Sequence, residues 1–297
     1  SIQADQAAAK LQAYSTKMTN VGKKLSLSVT APIAAAGAAA FKLSTDFENA
    51  MNKVSTIADT SDVPMDTLRK SILQLSDDTG IAASDIADNV YNAISAGQKT
   101  GDAVAFVGNA AKLAKAGFTD SASALDVLTT TLNSYKLEAD QASHVSDILL
   151  QTQNKGKTTV GELSSSIGKA IPTAAAFNVN LENLAAAYAT TTANGVATAE
   201  STTYIKSMLK ELGDTGSLVG SIIYSVTGKS FSELMVEGKN LGDVLNIVSK
   251  EGSAMGLTMY DVFGSAEAAS AAAILASDNS SKFAENLSAM GDAAGLT

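Results

Sequence analysis

From Pro64 onward the sequence is cut into short apolar-periodic runs closed by glycine, and this punctuation limits the fold more than any other feature. Met65, Leu68, Ile72 and Leu75 recur at the spacing of one helix face, with Pro64 suited to a first helical position and Gly80 beyond the end. Ser84 suits the N-cap of a helix over 85–96, with Ile86, Val90, Ala93 and Ile94 inward and Gly97 as the stop. Residues 102–116 present Val104, Phe106, Val107, Ala110, Ala111, Leu113 and Ala114, then stop at Gly117. Thr119 or Asp120 caps a helix carrying Leu125, Leu128, Leu132 and Tyr135. Another helix runs over 138–154 with Val145, Ile148, Leu149 and Thr152 inward, ahead of Gly156. Helices this short are marginal alone, so these must bury their stripes against one another.

Composition agrees with an all-α fold. Alanine supplies 52 of 297 residues and aromatics only 5%, which favours helices packed closely through small side chains. Abundant aliphatics and 17% charged residues exclude disorder, and the absence of cysteine excludes disulfides and thiolate metal sites.

The first 60 residues read differently. Ala4, Ala7, Leu11, Tyr14, Met18, Val21 and Leu25 alternate three and four apart, a heptad seam on a coiled-coil-like helix that would support self-association. Pro32 interrupts it, and the seam resumes as Phe47, Met51, Val54 and Ala58. The Ala-rich stretch 31–41 is too short to span a bilayer, which needs about 20 apolar residues. The formal charge of −9 divides into +4 over residues 1–45 and −13 over the remainder. An acidic body disfavours a groove that tracks nucleic-acid phosphates, so no specific nucleic-acid site is expected. The opening Ser-Ile-Gln-Ala-Asp shows no leader and reads as part of a longer chain.

An internal duplication is expected within 61–212. Glu162, Leu163, Ile167, Ala170 and Ile171 repeat the pattern of Asp85, Ile86, Val90, Ala93 and Ile94 at an offset of 77. A helix over 181–193 ends at Gly195 as its counterpart ends at Gly117. The two units are placed at about 64–135 and 141–212, each burying the other's apolar faces. Residues 213–297 form a smaller, glycine-rich helical segment: Ser230-Phe-Ser-Glu233 has the capping-box form with an end at Gly238, and helices follow over 241–250 and 266–276. A last helix over 282–290 is expected to lead away from the domain.

The chain offers little chemistry. His144 is its one histidine and reads as a partly exposed structural residue, so no catalytic triad or histidine metal site is expected. Gly228-Lys-Ser230 and Gly156-Lys-Thr158 resemble the end of a phosphate loop, but Ile223 and Gln151 stand where the opening glycine belongs, so both read as turns. Asp59/Asp62, Asp77/Asp78 and Asp85/Asp88 are expected at caps and helix starts, where the helix dipole favours them. Asn279-Ser-Ser and Asn286-Leu-Ser fit a glycosylation pattern without a secretion signal. No catalytic, cofactor-binding or metal residue is assigned.

Several segments taken together resemble one family. These are Ser28-Val-Thr-Ala-Pro32 leading into Asp46-Phe-Glu-Asn-Ala-Met51, then Lys112-Leu-Ala-Lys-Ala-Gly-Phe118, Gly156-Lys-Thr-Thr-Val-Gly-Glu-Leu163 and Ala193-Asn-Gly-Val-Ala-Thr-Ala-Glu200. Their order and spacing are similar to the shared core of phage tail tape-measure proteins. The resemblance implies a non-enzymatic virion protein of the tail lumen that sets tail length during assembly in the bacterial cytoplasm. It also implies release ahead of the DNA, and partners among tail tube protein, tail assembly chaperones and distal tail proteins. It transfers no cofactor. A helical module that opens the host membrane is the alternative, suggested by 31–41 and 266–276; an envelope-degrading enzyme has the least support, since its residue constellations are absent.

Overall fold

A computed structural model of the chain describes residues 43–276 and 280–297. Every regular element among them is helical. Residues 43–55 form α1. Then come α2 (Met65–Thr79), α3 (Ala83–Ser95), α4 (Thr100–Ala116), α5 (Ser121–Tyr135) and, after a 3-10 turn, α6 (Ala142–Lys155). The chain continues through α7 (Val160–Ser166), a second 3-10 turn (Ile167–Lys169), α8 (Ile171–Ala176), α9 (Leu181–Ala193) and α10 (Thr198–Gly213). It closes with α11 (Leu218–Thr227), α12 (Phe231–Val236), α13 (Leu241–Ala254), α14 (Met259–Val262), α15 (Ala266–Ala276) and α16 (Ser280–Gly291). The heptad seam Ala4–Leu25, the stretch 31–41 and Asn279 lie outside the described residues.

The punctuation works as expected, with shifts at some helix starts. Pro64 occupies the N-cap of α2 rather than its first turn, and Gly80 closes that helix at φ 74°. Ser84 lies inside the first turn of α3, whose N-cap is Ala82. The helix α4 begins at Thr100, two residues ahead of the expected 102. Asp120 caps α5 by accepting from the Ser123 N–H. Ser230 and Glu233 form the expected capping box on α12.

The helix α9 runs through the middle of the packing, against α6, α10, α15 and α16. Its residues Asn183 to Thr192 are all buried, so it lacks the polar face of a surface helix. Ala185, Ala186, Ala187 and Ala189 keep its surface thin, letting neighbours approach on all sides. The buried Thr190, Thr191 and Thr192 hydroxyls donate to carbonyls of the preceding turn, so the helix satisfies them itself. The alanines of α15 play the same role: Ala268, Ala269, Ala271 and Ala272 are buried, and the helix packs along α10.

One core joins the ends of the described chain. Phe47, Met51 and Val54 of α1 are buried in the same cluster as Phe283 and Met290 of α16. Ala58 of the expected seam falls past the end of α1 in a bend. Arg69 of α2 makes a two-pronged contact with Glu48 and lies 5.4 Å from the Phe47 ring centre, fixing α1 on α2. The helix α16 does not lead away. It folds back on α9 and α6, where burying Phe283 and Met290 stabilises it by roughly 1.5–3 kcal/mol each. Asn286 donates to Thr190 Oγ1 at 2.9 Å, and the Asp147 carboxylate accepts from the Gly295, Leu296 and Thr297 N–H groups.

The segment aligned with α3 keeps its apolar pattern but not its continuity. Leu163, Ile167, Ala170 and Ile171 are all buried, yet the helix breaks into α7, a 3-10 turn and α8. Pro172 has no N–H to give to the Gly168 carbonyl, so a continuous helix would lose a bond there and meet the ring. This break sets the geometry of one of the two clefts described next.

Candidate functional site

The residues that carry chemistry are dispersed. His144 on α6 is half-exposed, with Nε2 3.5 Å from Glu182 Oε1 of α9. Among the described residues no group of three or more His, Asp or Glu could hold a metal ion. Gly228 closes α11 in the left-handed region, Lys229 pairs with Glu237, and Ser230 caps α12, so this Gly-Lys-Ser run is a helix-to-helix turn. In the other run, Gly156 ends α6, the Lys157 N–H donates to Thr192 Oγ1 at 3.1 Å, and Thr158 joins Glu162 and Thr198 in one hydrogen-bonded cluster. Asn286 is fully buried, so its glycosylation pattern is a packing feature.

The carboxylates mostly cap helices, several of them across long stretches of sequence. Asp62 accepts from the Gly101 N–H at 3.0 Å, while the Asp59 N–H donates to Thr100 Oγ1 at 2.8 Å, so the 59–62 loop closes the start of α4. Glu211 of α10 accepts from the Gly264 and Ser265 N–H groups just ahead of α15. Hydrogen bonds from Ser61, Ser123 and Thr258 hold the Asp59, Asp120 and Asp261 carboxyls below the ordinary value, and the Ser230 N–H does the same for Glu233. Asp88 pairs with Lys53 and Asp78 with Gln74. Asp77 and Asp78 stand instead in the last turn of α2, the end the dipole disfavours, and the sequence could not show the distant helix ends that Asp62 and Glu211 serve.

Two of the surface hollows bear on function. The larger runs between α2 and α4, with adjoining parts of about 800 Å³ and 590 Å³ that share Leu75, Asp78, Gly108 and Lys112. Next to Thr119 at its end stands Phe118, 91% exposed and held at φ 53°. A phenylalanine with positive φ and a solvated ring gains nothing from the fold and costs it stability at this end of the hollow. The sequence signal was an aromatic residue directly after the helix-ending Gly117.

The smaller hollow, about 280 Å³, lies between the broken helix and α10. Lys169 from the 3-10 turn faces Lys206 and Lys210 of α10 across it, with Ser166, Thr203 and Ser207 supplying hydroxyls. No carboxylate lines it. Sequence reading missed this grouping, because Lys169 lies far from the other two lysines along the chain.

Among the described residues no helix is long and apolar enough to cross a membrane. Residues 69–230 match the family described as phage-related minor tail protein. The chain is 39% identical over 295 residues to a probable tape measure protein of Clostridium phage phiCD119, covering 96% of this chain and 31% of that protein. It is 23% identical over 195 residues to a tape measure protein of Pneumococcus phage Dp-1, covering 66% of this chain and 17% of that protein. The chain thus spans less than a third of the length of these relatives. No solved structure matches it.

Proposed function

The chain belongs to the phage-related minor tail protein family, and from that membership we propose that it is the folded, docking part of a tape measure rather than its ruler. The whole protein would lie in the tail lumen, set tail length during assembly in the bacterial cytoplasm and leave ahead of the DNA at infection. This part would hold the tape to tail tube protein, assembly chaperones or distal tail proteins and assist delivery into the host envelope. Self-association would fall to the heptad seam of residues 1–25.

The observation that carries the reading is the compactness of the block. The longest helix among the described residues, α4, has 17 residues and extends only about 26 Å at 1.5 Å per residue. A single core joining α1 to α16 among the described residues supports this reading, since a stretch folded into it would not report length along a tube. Support for two related units at 64–135 and 141–212 comes from helix starts: Met65, Ala83 and Ser121 have counterparts 77 residues later at Ala142, Val160 and Thr198. Residues 213–297 would then complete the core over α9 and α10.

Deleting residues 43–297 from the tape of a producing phage tests the proposal. Tails that keep their length but assemble less often, or infect poorly, are the expected result. Tails shortened by roughly 380 Å, the span of that stretch as extended helix, would overturn it.

A further inference from the structure

We propose that the hollow between the 167–169 turn and α10 binds a small phosphate-type oxyanion, held by Lys169, Lys206 and Lys210. In a chain with 30 acidic and 21 basic residues, three lysines line one hollow and no carboxylate lines it. None of the three has an ion pair among the described residues, so no protein carboxylate there neutralises them. Lys206 and Lys210 stand one turn apart on α10, a like-charged pair that weakens a helix by a few tenths of a kcal/mol, about the size of an ordinary i,i+4 pair. An anion between them reverses that sign.

Ser166 supplies the second, independent observation. It is 5% exposed and lines the hollow, yet its hydroxyl has no hydrogen-bond partner among the described residues. Its neighbours Ser164 and Ser165 instead donate to the Gly161 and Glu162 carbonyls. The hydroxyl is bonded to no described protein group and lines the hollow, where an oxyanion would accept from it. The Thr203 and Ser207 hydroxyls face the same space from successive turns of α10.

The donor set favours phosphate over a carboxylate. Three cations call for more than one negative charge, and donors arriving from two elements suit a tetrahedral group better than a planar one. The net charge of −9 repels a long polyanion, while a hollow of about 280 Å³ takes a phosphate and a small attached group.

Calorimetric titration of the intact chain with inorganic pyrophosphate, and in parallel with glycerol phosphate, tests the site. Saturable one-to-one binding is expected, with the stronger ligand showing whether a free anion or an ester is preferred. Lys169→Gln, Lys206→Gln and Lys210→Gln should each weaken it about two- to fivefold, and the triple variant by more than roughly tenfold. Ser166→Ala should weaken binding several-fold while thermal stability holds or rises, which a structural serine would not do. Lys112→Gln, in the other hollow, should leave binding unchanged. Absence of saturation at ~10 mM ligand, or affinity unaffected by the triple variant, would overturn the assignment. So would tighter binding of duplex DNA or an acidic peptide through the same lysines.

Discussion

The Tyr188 hydroxyl donates to Thr202 Oγ1 at 2.7 Å, joining the central helix α9 to α10 beneath the lysine-lined hollow. Both residues are buried, and burial holds the Tyr188 hydroxyl above its ordinary pKa, so it stays a neutral donor. The Thr202 hydroxyl in turn donates to the Thr198 carbonyl at 3.1 Å. The two ends of this bond therefore respond differently to loss of their partner. Tyr188→Phe leaves no orphaned donor and should cost about 1 kcal/mol, whereas Thr202→Val strands the phenol and should cost about 1–3 kcal/mol. Urea unfolding of both variants checks the asymmetry; equal costs would mean that the bond does not carry the contact.

Two glycines, Gly108 within α4 and Gly117 just past its end, should answer alanine in opposite directions. A Cβ on Gly117 would stand 2.5 Å from Val160 Cγ2, although its φ of −91° suits any residue. Gly117→Ala should therefore destabilise by about 1–3 kcal/mol through steric conflict with the start of α7. A Cβ on Gly108 would meet Leu75 Cδ1 at an ordinary 3.5 Å. Gly108→Ala should stabilise by about 0.5–1 kcal/mol through helix propensity. Shifts of the same sign in thermal melts would contradict this packing.

Phe118 pays for a left-handed backbone and a solvated ring at once. Phe118→Asn should raise the stability of the isolated chain by about 0.5–1 kcal/mol, because Asn tolerates that conformation. The same change in a phage should lower the yield of complete tails if the ring is a docking contact. A more stable chain with normal tail yield would remove Phe118 from the docking surface.

Acid should weaken the fold through its capping carboxylates. Asp59, Asp120, Glu233 and Asp261 are held below the ordinary values of 3.8 for Asp and 4.5 for Glu. The unfolded chain therefore takes up protons first as pH falls, so this stability is complete above about pH 4.5 and is lost as pH drops through the lowered folded values. Replacing Asp120, Asp261 and Glu233 by their amides should flatten the loss of unfolding midpoint below pH 4.5. A variant profile as steep as that of the unaltered chain would place the acid sensitivity elsewhere.

The legible parts of the fold were those written in local signals. The helix α9 matched its expected span because Asn180 and Gly195 bracket it, and α12 and α15 followed from a capping box and an alanine run. What escaped depended on distant partners. The return of α16 onto α9 and α6 rests on Asn286 and Met290 meeting Thr190 and Thr152, roughly a hundred or more positions away. The break ahead of Pro172 hid behind an apolar pattern that both a continuous and a broken helix can satisfy. The lysine hollow brings Lys169, in that break, together with Lys206 and Lys210 of α10, so no spacing in the sequence announced it.

The central claim is that this block occupies the tail as a folded body and measures nothing. Tail length in virions whose tape carries residues 43–297 twice in tandem tests it most directly, by electron microscopy of whole particles. A second compact block adds at most its own diameter, roughly 45–50 Å for a domain of this size. Tails lengthened by that amount or less are the predicted result. Tails lengthened by roughly 380 Å, as an extended helix of the same residues requires, would contradict it.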